Sequence, residues 1–413
     1  MKRGNIGWCL ILMTFSLGSY ANSEPEKHTH ISACATAASS GARCHSHVLA
    51  DENGVPLHPE LGNDATFSGG YSPVQIRHAY GLDTLPNNGT GKTIALVEAF
   101  NAPTIAKDLT TFKNKFGIKG CALKVVNQNG GTGLPATDAG WALEASLDVE
   151  WACAIAPGAQ LLLVEANDSS FTNLLAAVKY AAAHADVVSM SWGGGEDASE
   201  ASFDQFFNVN NVSFFASSGD GGTGVIYPSS SPHVVAVGGT TLPLDASGNL
   251  TGPETAWAGS GGGISTFEPI PGYQLTFPIP ATGGRRATPD VAFNADPSTG
   301  VLVFDSTKIN GQSGWYIVGG TSFGSPAWAA ITALIDQQRS PLSKSNNLSS
   351  NSLVSAPQYN AAASDVYAAN YRDIVSGTNG TCGSLCDATI GYDFVTGVGS
   401  PRANALIPYL ATH

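Results

Sequence analysis

The chain has 413 residues with a formal net charge of −13 at pH 7 and charged residues at only 12% of the sequence. So acidic a chain, with no basic cluster, is not expected to bind nucleic acid or an anionic membrane surface. A hydrophobic fraction of 43%, with 48 glycines and 23 prolines, excludes a coiled coil or a disordered chain and suits a loop-rich globular enzyme of one or two domains.

Met1-Lys2-Arg3, the apolar run Ile6 to Leu17 and the small residues ending near Ala21 have the layout of a secretory signal over residues 1–21. The run is too short to span a bilayer, so the mature protein is expected outside the cell or in a periplasm, without a membrane anchor. Cys9 lies in that signal, and six cysteines remain. Proximity favours Cys34–Cys44 and Cys382–Cys386, with Cys121–Cys153 left over, and leaves the other connectivities open. The short pairs lack zinc-ligand spacing.

Residues 22–70 are polar, histidine-bearing and rich in small residues, and are expected to form a mostly irregular extension. From Tyr71 onward the pattern changes, and residues 71–413 read as one catalytic domain. Short apolar strands at 93–97, 122–126, 160–165, 187–190 and 212–216 alternate with helical stretches at 102–116, 142–156, 171–185 and 202–208. That rhythm predicts an α/β fold, a parallel sheet with helices on both faces and ligands bound at the carboxyl ends of its strands. Further on, glycine-rich loops (259–263 and 283–284) are expected to shape a cleft. The strand-like run 315–318 then turns through Gly319 and Gly320 into an apolar helix at Ser322. A serine there can cap the helix or act as a nucleophile beside backbone N–H groups that favour negative charge.

Three acidic residues bear on that choice. Glu144 and Asp148 are four apart on a predicted helix, hence on one face, with no Lys or Arg between Lys124 and Lys179 to compensate them. Asp220 follows a buried strand directly, in Ser217-Ser218-Gly219-Asp220-Gly221-Gly222, at the carboxyl edge of the predicted sheet.

Taken with Gly320-Thr321-Ser322, Ser189-Met190-Ser191-Trp192-Gly193-Gly194 and a C-terminal Asp373-Ile374 with Gly391-Tyr392-Asp393, these motifs resemble the sedolisins, the serine-carboxyl peptidases of family S53, from about Tyr71 to the C-terminus. The resemblance implies a subtilisin-like fold and a secreted, acid-active endopeptidase acting on polypeptides through an acyl-enzyme. It implies Ser322 as nucleophile, Glu144 as general base, Asp148 as its orienting partner and Asp220 as a protonated oxyanion-hole residue, with Glu98 and Trp192 in support. Carboxylates suit this work because histidine is protonated and inert as a base at acid pH. No histidine stands in the order a subtilisin triad requires.

The resemblance also implies one structural calcium ion held by Asp373, Ile374, Gly391 and Asp393, the middle two through carbonyls, as a hard cation prefers. Thr389 stands where the family usually has a further glycine. The large folded prodomain of the family has no counterpart in residues 22–70. A monomer is expected. A secreted binding protein that keeps the fold without catalysis is the alternative, and an esterase is disfavoured because no Gly-x-Ser-x-Gly elbow surrounds Ser322.

Overall fold

The computed structural model describes residues 29–34, 41–59, 69–276, 278–280, 282–309, 311–342 and 366–412, with Met1 and Tyr359. The predicted signal falls, apart from Met1, outside the described residues.

In chain order the strands that position the site are β1 (Thr29–Ser32), β2 (Arg43–Cys44), β3 (His47–Ala50), β4 (Thr93–Ala99), β5 (Ala122–Asn127), β6 (Gln160–Ala166), β7 (Val187–Met190), β8 (Trp192–Gly195), β9 (Ser213–Ser217), β10 (Ile226–Tyr227), β11 (Val235–Thr241), β12 (Thr255–Ala256), β13 (Gly263–Pro269), β14 (Arg285–Thr288), β15 (Val291–Asn294), β16 (Val301–Ile309) and β17 (Gln312–Gly319). The principal helices are α1 (Pro73–Ala79), α2 (Ile105–Phe116), α3 (Ala139–Ile155), α4 (Phe171–Ala182), α5 (Thr321–Arg339) and α6 (Ala403–Thr412). Strand order in the main sheet is β12-β11-β9-β7-β4-β6-β5, with β15 beside β11. All its pairings are parallel except β11 with β12.

Burial explains the apolar strands. Val187–Met190 and Ser213–Ser217 are buried along their whole length. A parallel sheet covered on both faces leaves no side of a strand in water. One apolar cluster joins α3 and α5 to the sheet, and a second joins α4 to β6 and β7. Both α3 and α5 are buried nearly all round, including Glu144, Asp148, Glu150 and Ser322. Carboxylates tolerated in such a helix need partners or protons.

The extension departs from the irregular chain expected of it. His47–Ala50 pairs antiparallel with β1 and with the end of β17, and Arg43–Cys44 pairs antiparallel with β8. Its polar residues find partners on the larger body, which composition alone does not reveal. The two bridges favoured by proximity, Cys34–Cys44 and Cys382–Cys386, are formed, and so is the pair left over, Cys121–Cys153.

Candidate active site

Ser322 enters the site because β17 ends in two glycines. Gly320 has φ 105°, and a Cβ there would lie 1.9 Å from the His45 carbonyl oxygen and 2.5 Å from Asp220 Oδ2, so only glycine fits between strand and helix. The turn delivers Ser322 as the second residue of α5, fully buried.

From the neighbouring helix, Glu144 reaches the same point. Its Oε2 accepts from the Ser46 N–H at 3.0 Å, while the nearby Ser322 hydroxyl donates to the Ser191 carbonyl at 3.3 Å and favours the ionised form of Glu144. One turn on, Asp148 accepts the Ser191 hydroxyl at 2.8 and 2.9 Å and lies beside the carboxyl of Glu98, at the end of β4. Burial and mutual repulsion push Glu98 and Glu144 well above the usual carboxylate range, and burial pushes Asp148 up to about 8. The three carboxyls therefore hold protons between them at acid pH, without any neighbouring cation in α3. Trp192, named with Glu98 as a supporting residue, donates its indole N–H to the Val97 carbonyl at 2.8 Å and so ties β8 to β4.

Asp220 follows β9 and lies against the start of α5. Its Oδ1 accepts from the Thr321 N–H at 2.9 Å and the Thr321 hydroxyl at 2.6 Å, while Oδ2 stands 3.4 Å from His47 Nε2. Burial pushes its pKa up to about 7, so the carboxyl is protonated in acid and can donate from Oδ2. Glu144, Asp148, Asp220 and Ser322, far apart in sequence, are thus brought to one place.

Sequence reasoning missed what covers them. Between β2 and β3 the chain crosses the cleft: the His45 N–H lies 3.2 Å from both Ser322 Oγ and the Ser191 carbonyl, and the His45 imidazole Nδ1 is 2.7 Å from Ser217 Oγ. Burial, helped by Arg43 and a neighbouring histidine, lowers both His45 and His47 to about 3, so both rings are neutral over most of the acid range. The histidine-bearing composition of residues 22–70 was the only signal available. Beside this strand a cavity of about 390 Å³ is lined by Arg43, His45, Gly193, Gly219, Asp220 and Ile226, among others.

The proposed calcium ligands also converge in part. The Gly391 N–H donates to both oxygens of Asp373 at 3.1 Å, and Asp393 Oδ1 accepts from the N–H groups of Val395 and Thr396 at 2.9 and 2.8 Å. Tyr367 senses the charge of both carboxylates, which places them near one another. Among the described residues there is no cluster of three or more His, Cys, Asp or Glu side chains, so an ion here would depend on backbone carbonyls as well. Two carboxylates with the carbonyls of Ile374 and Gly391 would supply the oxygen donors that a hard cation such as calcium prefers.

The subtilase family model matches residues 131–372, which hold Glu144, Asp148, Asp220 and Ser322. The match takes in more than half of the chain. This protein belongs to the subtilase family.

Kumamolisin from Bacillus sp. (strain MN-32) is 32% identical over 377 residues, 82% of this chain and 63% of that protein. Sedolisin from Pseudomonas sp. (strain 101) is 27% identical, over 83% of this chain and 62% of its own. The chain thus spans just under two thirds of the length of these curated relatives. In structure, a Pseudomonas sedolisin, described as a serine-carboxyl proteinase complexed with two molecules of pseudo-iodotyrostatin, aligns with a TM-score of 0.72 at 27% identity, covering 83% of this chain and 98% of the other. Within the subtilases the chain is thus similar to the sedolisin-type serine-carboxyl peptidases, and it has the subtilisin-like α/β fold.

Proposed function

We propose that this protein is a secreted, acid-active endopeptidase that cleaves polypeptides through an acyl-enzyme on Ser322. The observation that carries the reading is the convergence of a buried serine with Glu144 on one side and a raised, protonatable Asp220 on the other. Ser322 Oγ attacks the scissile carbonyl carbon while Glu144 takes its proton. Asp148, held by Ser191 and Glu98, fixes Glu144 and spreads the proton over the carboxyl group chain. Protonated Asp220 donates to the oxyanion, and Glu144 returns its proton to the departing amine.

Calcium is assigned to Asp373 and Asp393 with the carbonyls of Ile374 and Gly391. When bound it would tie the loop before α6 to the body of the fold, and no step of the reaction passes through it. In this reading residues 1–21 are a signal, residues 22–70 an extension, residues 71–413 the catalytic domain, and the mature protein acts as a monomer outside the cell or in a periplasm. The catalytically silent binding protein is disfavoured by the completeness of the four-residue constellation.

The test is hydrolysis of a denatured protein at pH 4 by the wild type and by Ser322→Ala. Loss of at least about a thousandfold in kcat is expected of the variant, in line with removal of a covalent nucleophile. Equal activity in the two proteins refutes the reading.

A further inference from the structure

Asp220 stands on backbone that does little to hold itself. It lies between Gly219, with φ 108°, and the pair Gly221-Gly222, the latter with φ 75°, so the loop can take conformations closed to other residues. Thr321 fixes the carboxyl group, and the loop beneath it is fixed from outside. One support is the segment 259–262: the Gly222 N–H donates to the Gly259 carbonyl at 2.9 Å, and the Gly261 N–H to the Gly219 carbonyl at 2.7 Å. That segment is anchored at Ser260, whose Oγ accepts from the Gly239 N–H of β11 at 2.8 Å. Asn379, itself buried, joins the loop to this anchor. Its carbonyl accepts from the Thr223 N–H at 2.9 Å, and its Nδ2 donates to the Ser260 carbonyl at 2.8 Å. A Cβ on Gly222 would lie 2.6 Å from the same Asn379 carbonyl oxygen, so the two backbones are in close contact. Asn379 is carried by a narrow ribbon. In it the Ala388 N–H donates to the Gly377 carbonyl at 3.0 Å, Thr378 bridges Asp387, and the Asn379 N–H donates to the Cys386 carbonyl at 3.0 Å. The Cys382–Cys386 disulfide closes the ribbon just beyond Asn379.

We propose that Asn379 is a positioning residue for Asp220, and that the Cys382–Cys386 bridge is the clasp that keeps it in place. The inference rests on the role of oxyanion donor proposed above for Asp220. Asn379 touches no reacting atom; it acts by holding the loops 219–224 and 259–262 at one spacing, so that the Asp220 carboxyl stays shut from water against Thr321. A donor displaced from the oxyanion loses its bond there. The same loosening admits water to Asp220, and since burial is what raises its pKa, hydration lowers it. The titratable groups that face Asp220 are His47 of β3, Arg43 of β2 and Glu144 of α3. None of them is hydrogen-bonded to Asn379, so a change in the titration of Asp220 on altering Asn379 comes through the loop.

The experiment measures kcat, KM and the pH profile of peptide hydrolysis for the wild type, Asn379→Ala, Asp220→Ala and the two combined. Cys382→Ser with Cys386→Ser serves as a further variant that leaves Asn379 itself in place. Asn379→Ala is expected to lower kcat by about ten- to a hundredfold with KM within about threefold of wild type, and to move the neutral limb of the profile by about one pH unit to the acid side. Opening the bridge is expected to move kcat and the limb in the same directions, and Asn379→Gln, which keeps the amide, to recover part of the loss. In the Asp220→Ala background, Asn379→Ala is expected to cost less than about threefold, since no donor is left to position. An equal fold loss in both backgrounds, or variants that melt lower yet keep the wild-type kcat and neutral limb, overturns the inference and leaves the peptidase reading standing. Should Asn379→Ala fail to fold, the cysteine pair carries the test, and a wild-type kcat and limb in that variant overturns the inference. No hydrolysis by the wild type overturns the peptidase reading, and this inference with it.

Discussion

In the proposed reaction one chemical group, the carboxyl, takes three roles from its surroundings in Glu144, Asp148 and Asp220. Glu144, the proposed base, accepts from the Ser46 N–H, Asp148 accepts from the Ser191 hydroxyl, and Asp220 accepts from the Thr321 hydroxyl. Glu144→Gln keeps the shape but cannot accept a proton, and is expected to lower kcat by about a thousandfold or more with little change in thermal melting. A kcat within tenfold of wild type in a peptide assay would remove Glu144 from the role of base. For Asp220 the sign of the pH effect is set by its role as donor. Burial raises its pKa to about 7, so the donor is present below that value and lost above it. Hydrolysis is therefore expected to fall as pH rises through about 7, and Asp220→Asn, which keeps an N–H donor without a titrating proton, is expected to retain part of the activity and lose that limb of the profile. An unchanged neutral limb in D220N would assign the fall to another group.

At the scale of elements, the legible parts were those with a strong local pattern. The apolar strands β4, β6, β7 and β9 and the glycine turn before α5 can be read from the sequence because burial on both faces and a positive φ each leave a mark on residue choice. The acid pair of α3 could be placed on one face of a helix, but its meaning came only with the resemblance, since spacing does not say what the face meets. The strands β1 to β3 were illegible: they are short, and β2 and β3 are held by partners far along the chain, Arg43 by Gly193 of β8 and Val48 by Val318 of β17. Nothing local specifies a ladder whose other half lies so far along the chain. The loop with Asp373 and Asp393 belongs at this scale too. Both carboxylates act on Tyr367, and with calcium on them as proposed a chelator is expected to lower the melting temperature by several degrees, and calcium to restore it, with magnesium much less effective. A melting temperature indifferent to chelator would show that the N–H groups of Gly391, Val395 and Thr396 suffice to hold those carboxylates.

For the whole molecule, the acid-poised site carries a cost that pH reveals. Glu98, Glu144 and Asp148 are buried with their pKa values raised, so at neutral pH the fold must either keep protons on them or bear buried charge. A group whose folded pKa lies above its unfolded value contributes stability that is complete below the unfolded pKa and fades as pH rises through the folded one. Raised carboxyls of Glu200, Glu268 and Asp305, pushed up by burial to about 8, 7 and 7, act in the same direction. The protein is therefore expected to be most stable in mildly acid solution and to lose stability between about pH 6 and 9, where an ordinary acidic protein with paired surface carboxylates would gain it on leaving acid. Urea midpoints measured at pH 4, 6 and 8 on Ser322→Ala, which cannot digest itself, separate the cases: a midpoint that rises steadily to pH 8 would mean that these carboxyls are ionised and compensated within the fold, and that the protonation on which Asp220's role depends is not imposed by burial.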